Sequence, residues 1–214
     1  MMNVFRLIGD IMHLLSIFII LWKMLTQRSC AGLSLKTQLL YALVFTTRYL
    51  DMFYSYVSLY NTLMKLFFLL TSYHIVFLMR YRFKPSYDAK NDTFRVRYLI
   101  VPCAVLALIF HRHWFDLIEM LWSFSEWLEA TAILPQLFLL QRTGGAEMLT
   151  SHYLFALGGY RFFYILNWIY RYFVEGKGYW VSWIAGIVQT LLYADFFYHY
   201  LTKVVYGKKL TLPN

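Results

Sequence analysis

TSHYLFALGGYRFFYILNWIYRY, residues 150–172, is the stretch whose reading decides the fold. As a helix rising ~1.5 Å per residue it covers roughly 34 Å, more than the ~30 Å hydrocarbon core of a bilayer. Yet Arg161 and Arg171 sit inside it, and with Tyr164 and Trp168 they recur every three or four positions. Such spacing places side chains on one helical face. A charge at the centre of a lipid layer costs at least ~2.5–3.5 kcal/mol, so this face must turn away from lipid, onto other helices or a polar cavity.

Six further apolar segments run about 4–22, 37–55, 62–80, 97–111, 117–140 and 181–203. Apolar residues make up 60% of the 214 and charged residues 14%, against about 25% charged in soluble domains. The sequence therefore predicts an all-α membrane protein of seven transmembrane helices. It is expected to be a single domain, 1–214, with a short tail from about 204 to 214. No small-residue cleavage site follows the first segment, which reads as a retained helix and not a signal peptide. The short fourth segment between two triplets suggests two three-helix repeats joined by a linker helix.

Connections 1–2, 3–4 and 5–6 and the tail carry Lys23, Arg28, Lys36, Arg80, Arg82, Lys84, Lys90, Arg95, Arg97, Arg142, Lys203, Lys208 and Lys209. Only Arg112 and Lys177 stand on the opposite side. By the positive-inside rule the C-terminus is cytosolic and the N-terminus luminal or exterior. The net charge of +9 then reflects topology and contact with the bilayer, with no need for nucleic acid. Asn91-Asp92-Thr93 matches a glycosylation sequon that this orientation keeps cytosolic and unmodified.

Other segments carry polar stripes like that of 150–172. The first has Arg6, Asp10 and His13; the second Arg48, Asp51 and Ser55; the fifth Glu119, Trp122, Glu126 and Glu129; the seventh Asp195 and His199. Arg6, Arg48, Asp51, Glu119, Trp122 and Arg171 fall in the luminal half, with Asp10, His13, Glu129, Tyr160 and Arg161 deeper. Guanidinium groups grip carboxylates in a two-pronged fork. The complementary ligand is small, largely acidic and carboxylate-bearing, with one cationic end for Asp51, Glu119 and the face of Trp122. A peptide C-terminus with acidic side chains fits.

Structural explanations compete at each position. Arg6 and Arg171 lie where side chains snorkel to head groups. Arg48 with Asp51, and Arg161 with Glu129, fit closed ion pairs. Trp122 and Trp168 fit an interfacial belt; Asp195 with His199, and Lys65, read as structural. His13 fits either a core imidazole or a group titrating near ~6.5. Cys30 and Cys103 have no metal or redox spacing. No HExxH motif or paired nucleophile and base suggests an enzyme, and no cofactor or metal is expected.

The stretches MNVFRLIGD, RSCAGLSLKTQ, TTRYLD, SLYNT, YDAKNDTFRV, LEATAILPQLF, SHYLFALG, YRFFYILNWIYRY, QTLLYADFFY and GKKLTLP span the chain. In them it resembles the KDEL receptor family, the endoplasmic reticulum (ER) protein retrieval receptors. The resemblance implies a fold related to the SWEET and PQ-loop transporters, Pro135-Gln136 being the matching dipeptide. It implies pH-dependent binding of the C-terminal Lys-Asp-Glu-Leu or His-Asp-Glu-Leu signal of escaped luminal proteins. It also implies location in the ER, cis-Golgi and COPI vesicles. Arg6, Arg48 and Arg171 match the arginines that take the signal's carboxylates, within a wall of Tyr49, Tyr164, Asn167 and Trp168. Asp51, Glu119 and Trp122 match the group facing its first residue. His13, with Glu129, Tyr160 and Arg161, matches the pH switch; Lys203, Lys208 and Lys209 match the coat-binding lysines. Glu126 stands where the family pattern leads one to expect an apolar residue. The fold also leaves open a SWEET-like transporter of a small zwitterionic solute.

Overall fold

The computed structural model describes residues 3–111, 116–176, 178–206 and 210–211. Almost all of it is helical: α1 (Val4–Gln27), α2 (Leu35–Arg48), α3 (Leu59–Phe77), α4 (Arg97–Ile109), α5 (Leu117–Thr131), α6 (Leu134–Thr143), α7 (Met148–Glu175), α8 (Trp180–Leu192) and α9 (Ala194–His199). Short polar residues start several of these. Asn3, Ser34, Ser58 and Asp116 each accept a hydrogen bond from a backbone N–H of the first turn, satisfying donors that a helix start leaves free.

The helices carry their polarity inward. On α1 the residues Leu7, Ile11, Leu15, Phe18, Trp22 and Leu25 form an exposed apolar stripe, while Asp10, His13, Ser16 and Lys23 are buried. Apolar residues outside and polar ones inside suit lipid as the surrounding solvent. α1 and the α3 run Leu59–Arg82 are each long and apolar enough to cross a membrane. The bent pair Trp180–Leu192 and Ala194–Val204, turned by 43°, makes a third such span.

α1 packs chiefly on α7, α2 on α3 and α5, and α5 also on α4 and α8. Glycine lets α1 and α7 approach: a Cβ on Gly9 would meet the Tyr164 ring at 2.7 Å, and one on Gly159 would collide with the Met12 methyl group. Small residues at membrane-helix contacts serve this purpose.

Three expected segments differ from simple spans. The fifth, 117–140, is two helices, because Pro135 cannot continue the ladder of the preceding turn. The seventh, 181–203, breaks at Tyr193, and the second leaves α-geometry after Arg48 for a 3₁₀ turn, Tyr49–Phe53. At the first break Gln136 rejoins the chain. Its Oε1 accepts from the Ser34 N–H at 2.8 Å, its Nε2 donates to the Gly32 carbonyl at 2.8 Å, and its backbone N–H donates to Thr37 Oγ1 at 3.0 Å. This clamps the start of α6 to the start of α2.

Lys23, read from sequence as a connection charge, is instead buried within α1. Its ammonium donates to the Ala31 carbonyl and Thr150 Oγ1, both at 2.7 Å, and pairs with Glu147 at 3.2 Å. The tail is not simply free: Leu210–Thr211 pairs antiparallel with Gly145–Ala146, burying Leu210.

Gln136→Ala leaves the Ser34 N–H and Gly32 carbonyl without these partners, at about 1–3 kcal/mol for each buried group. A thermal melt in detergent is expected to fall by several degrees. An unchanged midpoint would dissociate Gln136 from the α2–α6 clamp.

Candidate functional site

A cavity of about 260 Å³ opens between α1, α2, α3, α5, α7 and α8. Four cationic side chains line it, Arg6, Arg48, Lys65 and Arg161, with three carboxylates, Asp10, Glu126 and Glu129. Tyr49, Trp122, Tyr160, Tyr164 and Trp168 supply aromatic wall, and His13 stands at its deep end. Beyond His13 a space of only about 10 Å³ remains among Ile17, Ile20, Phe45 and their neighbours, room for one water at most.

The floor is a tight charge cluster. Glu129, almost wholly buried, accepts from Arg48, Arg161 and the Tyr160 hydroxyl. Arg161 Nη2 also donates to the Tyr160 oxygen at 3.1 Å, and Gln189 Nε2 reaches it at 3.4 Å. Arg48 is held wholly by α5: Nε donates to Ser125 Oγ at 3.0 Å, Nη1 binds Glu129, and Nη2 lies 3.1 Å from Glu126. Three helices are thus joined by charges that would each be costly to bury alone.

His13 is stacked between Phe68, at 4.3 Å between ring centres, and Tyr160, at 4.1 Å. Its Nε2 is buried with no hydrogen-bond partner. One turn nearer the mouth, Asp10 accepts from Tyr164 and from Tyr60 at 2.8 Å. Arg6 Nε stands 3.9 Å from Asp10, a looser contact by a side chain about 32% exposed.

Ten of the residues that the resemblance matched to signal binding or the pH switch therefore line one cavity: Arg6, His13, Arg48, Tyr49, Trp122, Glu129, Tyr160, Arg161, Tyr164 and Trp168. Four others lie around it. Asn167 accepts from Asn3 Nδ2 at 2.7 Å, tying the start of α1 to α7. Arg171 donates to Glu175 at 3.0 Å, and Asp51 takes Lys65 at 2.7 Å. Glu119 accepts from the Tyr179 hydroxyl at 3.3 Å, while the Tyr179 ring packs edge-on against Trp122.

Of the two ion pairs that the sequence offered as a structural alternative, Arg161–Glu129 is present and Arg48–Asp51 is not. The α-helix ends at Arg48, and the 3₁₀ turn carries Asp51 towards α3 while Arg48 turns to α5. Lys65, read as structural, lines the cavity through its ion pair with Asp51. Tyr60, Asn61, Met64 and Phe68 on α3 also line it; no charge pattern on that helix had pointed to them. Of the lysines that the resemblance assigns to coat binding, Lys203 is half-buried, and Lys208 and Lys209 lie outside the described residues.

A family model described as "ER lumen protein retaining receptor" matches residues 29–171. The chain is 57% identical over 212 residues to the ER lumen protein-retaining receptor of Drosophila melanogaster, spanning 99% of this chain and 100% of that protein. It is 56% and 55% identical, over the same spans, to ER lumen protein-retaining receptor 2 of Gallus gallus and of Homo sapiens.

Glu129→Ala strands Arg48 and Arg161 in the interior. Removing one partner of a buried pair costs about 3–5 kcal/mol. The variant is expected to melt far below wild type or fail to accumulate, whereas Asp51→Ala, at a partly exposed pair, should cost about 1 kcal/mol or less. Equal melting of the two would contradict the central role of Glu129.

Proposed function

The chain belongs to the ER lumen protein retaining receptor family, and on that premise we propose that it binds the C-terminal Lys-Asp-Glu-Leu or His-Asp-Glu-Leu signal of escaped luminal proteins. One observation carries the reading most directly: a cavity of peptide-side-chain size in which guanidiniums from α1, α2 and α7 converge. In the proposed architecture, seven spans form two three-helix repeats about α4, within one membrane domain. The N-terminus is luminal and the C-terminus cytosolic, as the distribution of Lys and Arg favours. The cavity then opens to the lumen, since Arg6 lies at the start of α1.

Arg6 is the guanidinium most open to an incoming carboxylate, being loosely held and partly exposed. Arg48 and Arg171 enter the site by exchange: Glu126 and Glu175 must release them to carboxylates of the signal. Tyr49, Tyr164 and Trp168 flank the peptide, and Asn167 joins them when its bond to Asn3 opens. Asp51, Glu119 and Trp122 receive its cationic first residue.

His13 supplies the proposed pH dependence. A second proton on the imidazole creates an N–H at a buried atom that has no acceptor, so the charged ring favours a rearranged floor. Glu129, shared by Tyr160, Arg161 and Arg48, is the nearby carboxylate that can respond. Acidification in the Golgi would thus favour the loaded state and return to neutral pH would empty it. Rearrangement carried to α7 and the tail would present Lys203, Lys208 and Lys209 to the COPI coat. A transporter of a zwitterionic solute is less favoured: the family name describes receptors, and His13, Phe45 and Ile17 close the cavity floor.

Fluorescent signal peptide is expected to bind the purified receptor more tightly at about pH 5.5 than at about pH 7, and His13→Ala should flatten that difference. Equal wild-type affinity at both values would eliminate the switch. Arg6→Ala and Arg171→Ala should each weaken binding by one to two decades, since a charge-assisted contact contributes ~1.5–3 kcal/mol. Full binding by either variant would take that arginine out of the site.

A further inference from the structure

Arg48 and Glu126 meet without satisfying one another. Their atoms Nη2 and Oε1 are 3.1 Å apart, yet Arg48 Nη2 has no aligned hydrogen bond, and Glu126 Oε2 is buried with no partner. Both side chains line the cavity, and Glu126 is only 5% exposed. Burial of unpaired polar atoms is expensive and rare in a settled core. Two of them on facing charged groups mark a contact built to be exchanged.

The other partners of Arg48 are not exchangeable in the same way. Glu129 is also held by Arg161 and Tyr160, so three groups on two helices keep it in place. Ser125 is neutral and accepts from Nε. Glu126 alone has Arg48 as its one ion-pair partner among the described residues and an oxygen left over.

We infer that Glu126 is a built-in competitor for the ligand: its carboxylate occupies the Arg48 nitrogen that an acidic group of the bound peptide must take, and it has to swing aside on binding. The inference rests on the signal-binding reading above and adds to it a residue that sets affinity and charge selectivity. A ligand carboxylate arriving at Nη2 finds a like charge already there, and like charges brought together at an interface repel unless one moves. Glu126 therefore lowers affinity for acidic peptides, and it discriminates most against ligands whose carboxylate is poorly placed to displace it. Arg48 itself stays anchored throughout, because Glu129 and Ser125 remain on its other nitrogens.

The test is peptide affinity of purified Glu126→Gln and Glu126→Leu against wild type. Both variants should bind a Lys-Asp-Glu-Leu-ended peptide at least about tenfold more tightly. The gain should disappear for at least one of three altered peptides: Asp replaced by Asn, Glu replaced by Gln, or the C-terminal carboxylate amidated. A merely structural role predicts weaker or unchanged binding, so either of those results in folded variants overturns the inference. Weaker binding would instead assign Glu126 to the cationic end of the peptide. A gain that persists with all three altered peptides would also overturn it, because relief of like-charge competition cannot act on a neutral group. Wild type that binds no signal peptide would remove the receptor reading and this inference together, whereas wild-type binding without the gain removes the inference alone.

Discussion

The structure depends on one buried carboxylate. Glu129 on α5 gathers Arg48 from α2 and both Tyr160 and Arg161 from α7, so that three helices meet at a single acceptor. A charge buried there alone would be costly; here Glu129 and Glu126 stand against the guanidiniums of Arg48 and Arg161, and the Tyr160 hydroxyl donates to Glu129. The cluster also closes the bottom of the cavity, with His13 stacked on Tyr160 at its edge. A change of charge at His13 therefore acts on the same atoms that hold the helices in register.

Above that floor the site is held more loosely. Arg6 and Asp10 are 3.9 Å apart, Arg171 rests on Glu175 one helical turn away, and Glu126 is half-satisfied by Arg48. Each cation has a carboxylate to hand, yet none except the Glu129 group is locked from several sides. Internal ion pairs let four cationic side chains share one cavity, because three carboxylates line it with them. The close approach of α1 to α7 at Gly9, where Tyr164 reaches over to Asp10, sets the width of the cavity between them.

Much of this was legible in the chain. Inward-facing charges repeat at helical spacing, so Arg6, Asp10 and His13 on one segment and Arg161, Tyr164 and Trp168 on another could be assigned to a cavity. Bilayer energetics keeps the charges deep in a span, such as Asp10 and Arg161, off the lipid-facing side. The partners were less legible. Arg48 and Asp51 stand three residues apart, a pairing distance on a helix, but the helix ends between them and they bind α5 and α3 respectively. The aromatic residues of α3 carry no charge signal, so Tyr60 and Phe68 could not be told from lipid-facing residues by spacing. Pro135 announced a break, but not that Gln136 would fasten it to the start of α2.

By itself, the sequence determined that this is a helical membrane protein with charges turned inward, and its relatedness names the family, because hydrophobic length, charge cost and identity are properties of the chain in order. Only the tertiary structure decided which carboxylate answers which guanidinium. Ion pairing depends on distances between helices that are remote in sequence, and a rotation of one helical position would have given Arg48 another partner. It also decided that Glu126 lines the cavity with one carboxylate oxygen left unpartnered.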